Sequence, residues 1–140
     1  MLRGVKAVAL AAGLGLAATA AQAQVTPDNF VGGRTSDLAA LCAATGSDPN
    51  VVAAINHCHG FLMATGQFHT AITDALPNRR PFFCLPNPRP TLESVRTGFV
   101  NWARANPQHA GTTAVEGVVR YATDAFPCPP QPAQQRRRAQ

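Results

Sequence analysis

The chain has 140 residues, 46% of them hydrophobic, with twelve Lys or Arg against seven Asp or Glu and a formal charge of +5. That length suits one domain. The basic surplus sits at the two ends, and the body between carries seven Arg and seven acids, so it lacks the basic face that binding nucleic acid requires.

Arg3 and Lys6 precede an apolar run from Ala7 to Ala18, and Ala21-Gln22-Ala23 fits the A-x-A cleavage pattern. Twelve apolar residues fall far short of the roughly 20 that a bilayer needs. Residues 1–23 therefore read as a signal peptide of bacterial style, with Gln24 as the mature start and a periplasmic or secreted product. No later run is long enough to span a membrane. The mature chain keeps a charge of +3, which Arg136, Arg137 and Arg138 supply.

Gln24 to Arg34, with Pro27 and Gly32-Gly33, reads as an irregular leading segment. Thr35 or Ser36 is the expected cap of a short first helix, with Asp37 in its first turn. Leu38, Leu41 and Cys42 share its inner face, and Gly46 is expected to end it. Asp48-Pro49 then starts a long helix that runs to about Leu76, where Pro77 stops it. On this helix Val51, Ile55, Cys58, Leu62, Ile72 and Leu76 form one apolar stripe. Ala54, Phe61, Phe68 and Ala75 form an adjoining one, and Asn56, His59, Gln67, Thr70 and Asp74 make a narrow polar arc. So wide an apolar arc predicts a helix covered by its neighbours.

Four prolines between Pro81 and Pro90 make the next stretch a loop. Phe82, Phe83 and Leu85 around Cys84 suggest that this loop lies on the core, with Asn78, Arg79 and Arg80 as an exposed tip. Thr91 is expected to cap a third helix whose inner face is Leu92, Val95, Phe99 and Trp102, closed by Asn106-Pro107. Thr113 and Glu116 have capping-box spacing at the head of a fourth helix. Its expected inner face is Val115, Val118, Val119, Ala122 and Phe126, and Gly117 weakens it slightly. From Pro129 to Gln140 the Pro/Gln/Arg composition predicts a disordered tail. The reading is an all-α class: a four-helix domain over residues 24–128.

An even number of cysteines in a small exported domain reads as two disulfides. Four cysteines allow three pairings. The short turn between the first two helices makes them antiparallel, which favours Cys42–Cys58 as a hairpin staple and leaves Cys84–Cys128 to tie the last helix back to the proline-rich loop. In the loop-entropy account each contributes about 3–4 kcal/mol.

The residues argue weakly for any reaction. A cysteine–histidine nucleophile needs a free thiol of low pKa, and the thiols here are even in number. His57-Cys58-His59 invites a metal reading, but two residues on a helix differ by about 200°, so the rings diverge. His69 on the apolar stripe reads as a hydrogen-bonded core histidine. There is no Cys-x-x-Cys, no paired histidine on one helix face and no haem motif, so no metal or other cofactor is expected. With no strand to precede a Gly-rich loop, nucleotide binding has no support. Trp102 reads as core or core rim.

The spacings resemble the Rap/Tai family of type VI secretion immunity proteins. The matching pieces are Ser36-Asp37-Leu38 leading to Cys42, Cys58-His59-Gly60-Phe61-Leu62, Phe83-Cys84-Leu85-Pro86, Thr91-Leu92, Asn106-Pro107-Gln108-His109 and Ala125-Phe126-Pro127-Cys128. They span about Ser36 to Cys128. Phe61 stands where the family usually has Tyr, Ala64 where a helix Gly is common, and the basic tail is extra. Ala64 would hinder a helix that packed closely there. The resemblance implies a helical periplasmic protein, not an enzyme, that neutralises a toxin delivered by another cell. In the family that toxin is typically a peptidoglycan amidase with a Cys–His active site, whose cleft the immunity protein plugs, often as a dimer. Interface residues vary within the family and do not carry over. Exposure and composition point instead to Asn78, Arg79 and Arg80 as polar probes, with Phe82 as an anchor. The alternative is a stand-alone periplasmic helical protein, structural or chaperone-like, with no cognate toxin.

Overall fold

In the computed structural model, which describes residues 25–76 and 78–130, four helices make the body. They are α1 (Thr35–Ala43), α2 (Pro49–Ala75), α3 (Leu92–Ala105) and α4 (Ala114–Ala125). Short 3-10 turns, Pro27–Phe30 and Pro107–His109, flank the bundle. Among the described residues the only β-type pairing is one isolated bridge between Arg34 and Thr113. The expected signal peptide, the Pro77 stop and the arginine run at 136–138 lie outside the described residues.

Three helix starts form as their local sequences dictate. The Asp48 carboxylate accepts the Asn50 and Val51 N–H groups at 3.1 Å each. Thr91 accepts Ser94 N–H at 3.1 Å, and Thr113 accepts Glu116 N–H at 3.3 Å. Each satisfies donors that a helix start leaves free. The first helix departs from expectation. Its cap position is Arg34, whose N–H donates to Asp37 at 3.1 Å, and Thr35 is its first helical residue. Thr35 is buried because it has another task. Its hydroxyl donates to the Thr112 and Thr113 carbonyls at 3.3 and 3.1 Å, and lies 2.9 Å from the Thr112 hydroxyl, pinning the head of α1 to the head of α4. This helix ends at Ala43, before Gly46, whose φ of 131° turns the chain toward Asp48.

The main core gathers Leu38 and Cys42 from α1, Cys58 and Leu62 from α2, Phe99 and Val100 from α3, and Val118 and Tyr121 from α4. At its centre Phe99 meets Tyr121 edge-on, with ring centroids 5.9 Å apart. Trp102 sits on the rim, stacked on Phe99, and its indole N–H donates to Asp124 at 2.7 Å. Val25 and Phe30 of the leading segment cover a second cluster of Leu41, Ala44 and Ala54. Arg96 joins α3 to the end of α1: it donates to Glu93 at 2.6 and 2.8 Å and to the carbonyls of Cys42 and Ala44. That ion pair holds the Glu93 carboxyl below its usual range. His59, expected on the polar arc, is half-buried, with Nε2 3.7 Å from Glu93.

Both disulfides form in the expected pairing, Cys42–Cys58 and Cys84–Cys128, with sequence separations of 16 and 44. The first is fully buried within the main core.

Two expected faces are corrected. The buried residues of α4 are Ala114, Gly117, Val118, Tyr121 and Ala122, a stripe rotated away from Val115, which is exposed, and Val119, which is half-exposed. On α2 only Ala54, Cys58, Leu62 and Thr65 are buried, so the apolar arc is covered in its first half alone. Ala64 is exposed.

Gly117 also changes meaning. It is buried against α1, where a Cβ would stand 2.3 Å from Thr35 Oγ1. Gly117→Ala gains about 1 kcal/mol of helix propensity but overpacks a contact whose partner is tethered by hydrogen bonds. A net loss of about 1–2 kcal/mol in urea denaturation is expected. A stabilised variant would show that α1 and α4 can separate freely at this point.

Candidate partner-binding groove

At 1.5 Å rise per residue, the 27 residues of α2 extend far past the 14 of α3 and the 12 of α4. The C-terminal half and C-cap of α2 present Phe68, Ile72 and Leu76 at the surface, beside α4 but not covered by it. All three are exposed, Phe68 by 66%. The outer face of α4 presents Val115 and Val119 toward the same space. Between these walls, and closed by residues 79–82, runs an apolar groove of about 690 Å³.

The loop that closes the groove is clamped at several points. The Phe82 N–H donates to His69 Nε2 at 3.2 Å, and the buried Phe83 ring stacks on His69 at 3.8 Å. The Thr123 hydroxyl, which donates to the Val119 carbonyl at 2.8 Å, also lies 3.3 Å from the Phe82 carbonyl, and Cys84 N–H donates to the Phe126 carbonyl at 2.8 Å. The Cys84–Cys128 bridge then locks the loop to the end of α4. Of the aromatic and aliphatic loop residues expected on the core, only Phe83 goes there. Phe82 and Leu85 are exposed, Phe82 by 66%.

The four residues singled out from the sequence stand together at this rim but differ in their contacts. Arg80 donates to the carbonyls of Cys128 and Pro129 at 3.3 and 3.4 Å, so it braces the stretch that follows α4. Asn78 and Arg79 are exposed, and Arg79 lines the groove beside Arg80 and Phe82. On the far wall Arg120 pairs with Glu116 at 2.8 Å. Sequence periodicity missed Phe68, Ile72, Leu76, Val115 and Val119 as surface, because it counted them as core. The available signal was length: a helix about twice as long as its neighbours has more apolar surface than any one of them can cover.

His69 is the titratable hinge of this wall. Because Nε2 accepts from Phe82, the ring carries its proton on Nδ1. Burial lowers its pKa below 6.5. A depressed imidazole pKa means that the loop contact is fully present above the ordinary histidine range and is lost as pH falls through the folded-state value. In NMR titration the His69 ring signals are expected to titrate below pH 6.5, with the Phe82 amide signal moving in step. A Phe82 amide that ignores the titration would place the clamp elsewhere.

The groove holds no free thiol. All four cysteines are in disulfides, and among the described residues no group of three or more His, Cys, Asp or Glu is placed to hold a metal ion. No described helix is long and apolar enough to cross a membrane. A family model described as Rap1a immunity proteins matches residues 34–128, from the cap of α1 to the last cysteine. No curated protein and no solved structure matches the chain.

Proposed function

We propose that this chain, which belongs to the Rap1a immunity protein family, is exported to the periplasm and neutralises a type VI-delivered peptidoglycan amidase-like toxin by occupying its cleft. Membership supports a toxin-immunity role, and such families are generally non-enzymatic. The compartment, the toxin class and the mode of inhibition belong to this proposal. Two disulfides suit an oxidising compartment, and residues 1–23 have the composition of a cleaved leader.

The observation that carries the reading is the groove between the C-terminal half of α2, residues 79–82 and α4. Phe68, Ile72, Leu76, Phe82 and Val115 are large, apolar and exposed, and they share one concave surface. Single exposed apolar residues are ordinary; a contiguous set of this kind marks an interaction surface. The clamped loop presents it pre-formed, so little ordering entropy opposes binding. Phe82 is the anchor, with Asn78, Arg79 and Arg80 as its polar surround. A dimer that leaves this groove open is compatible with the same role.

The test is rescue of cells that express the amidase-like product of a neighbouring gene, paired with pull-down of that protein. The wild-type chain is expected to rescue and to bind. Phe82→Ala is expected to weaken binding about 30-fold, the loss of about 2 kcal/mol typical of an interface anchor. Failure to rescue or to bind would overturn the toxin assignment. Full binding by Phe82→Ala together with Ile72→Asp would move the interface off this groove.

A further inference from the structure

The two disulfides sit in different surroundings. Cys42 and Cys58 lie on α1 and α2 within the main core, and both are 0% exposed. Cys84 and Cys128 are each partly exposed, and neither is on a helix. Cys84 belongs to the proline-rich stretch between α2 and α3, and Cys128 to the stretch after α4. The second bridge therefore ties one non-helical stretch to another. Its place matters to the groove, because Cys84 follows the wall formed by residues 79–82 directly after Phe83. The other holds on this wall fall into two sets. The Phe82 N–H, the Phe82 carbonyl and the Phe83 ring meet His69 and Thr123 on helices α2 and α4. Cys84 N–H and Arg80 instead bond the carbonyls of Phe126, Cys128 and Pro129. This second set runs to the stretch that the bridge itself secures, so it loosens when the bridge opens.

Thiol–disulfide exchange needs a thiolate to reach a sulfur, so it acts on exposed bridges and spares those sealed in a core. We propose that Cys84–Cys128 is a redox latch on the groove: a dithiol reductant opens it while Cys42–Cys58 stays closed, and the loop wall then comes away from the end of α4. One reductant thiolate attacks a sulfur of the bridge. The S–S bond breaks, a mixed disulfide forms, and the other cysteine leaves as a thiolate that takes a proton from water. The second reductant thiol then displaces the remaining cysteine, which is protonated in turn. The reductant ends as a disulfide, and the protein gains two electrons and two protons as two thiols. The helices keep their own buried staple, so the opening is local. The oxidised chain presents a walled groove, and the reduced chain an open face between α2 and α4. The latch is a property of the free chain and holds whichever partner the groove takes.

The experiment treats the oxidised chain, residues 24–140, with dithiothreitol above the histidine range, where the His69 contact is present. Iodoacetamide quenches samples over time, and peptide mass spectrometry assigns the alkylated cysteines. NMR follows the same reaction. Cys84 and Cys128 are expected to be labelled at least about tenfold faster than Cys42 and Cys58. At that stage the Phe82 amide and His69 ring signals should move toward their unfolded positions, while those of Phe99 and Tyr121 stay dispersed. The Cys84→Ser, Cys128→Ser variant should show the same loop shifts without reductant and remain folded by Trp102 fluorescence. Labelling of all four cysteines at one rate would overturn the proposal. So would collapse of the Phe99 and Tyr121 signals along with those of the loop, or an unfolded double variant, because the bridge would then hold the whole fold. Unmoved Phe82 and His69 signals once Cys84 and Cys128 are reduced would overturn it as well, since the wall would stand without its latch. None of these outcomes bears on the toxin assignment, which the rescue assay tests by itself.

Discussion

Replacing Cys84 and Cys128 together by serine is expected to destabilise the fold by about 4 kcal/mol in urea denaturation. The bridge closes 44 residues, against 16 for Cys42–Cys58, and the entropy removed from the unfolded chain grows with that span. The loss should also be felt in binding. Cys84 joins the wall of the groove to the end of α4, beside its N–H bond to Phe126. Without the bridge, only hydrogen bonds and the His69–Phe83 stack hold the loop. The matching Cys42→Ser, Cys58→Ser variant should lose about 3 kcal/mol yet keep the groove, because those sulfurs lie in the main core. The two double variants thus separate stability from recognition. Equal toxin affinity for the Cys84/Cys128 variant and the wild type, under conditions where both are folded, would show that the groove does not depend on its staple.

Phe99→Ala should cost about 3–5 kcal/mol, the range for removing a fully buried aromatic ring. Phe99 is 0% exposed and lies where all four helices meet, edge-on to Tyr121 and stacked on Trp102. Single domains are stable by only about 5–15 kcal/mol, so this variant should sit near its folding threshold. Trp102 is the only tryptophan in the chain and reports the transition directly by fluorescence. Phe99→Leu, which keeps much of the volume, should lose less than half as much. A loss below about 1 kcal/mol for Phe99→Ala would mean that the core can collapse around the gap.

What could be read in the sequence was local. Asp48, Thr91 and Thr113 cap the helices they precede, because a cap depends on residues two or three positions away. The pairing of cysteines followed from the antiparallel turn between α1 and α2. Thr35 misled because its hydroxyl has two possible uses: it could cap its own helix or bond to Thr112 and Thr113, about 77 residues away in the chain. Gly117 misled for the same reason. Its cost to the helix is a local quantity, while its use is a contact with Thr35 on another helix. The candidate loop tip, Asn78 to Arg80, was legible as exposed because a short polar tip between prolines has nowhere else to go, whereas Phe82 was expected on the core and is exposed. The role of this loop as one wall of a groove was not legible.

By itself the sequence determined the all-α class, three of the helix caps, the two-disulfide frame and the concentration of surplus charge at the chain ends. Each of these rests on neighbours along the chain or on composition. The tertiary structure decided which apolar faces stay open. Ile72, Leu76 and Val115 have the same periodicity whether a neighbour covers them or not, and only the relative lengths and placement of the packed helices leave them facing water.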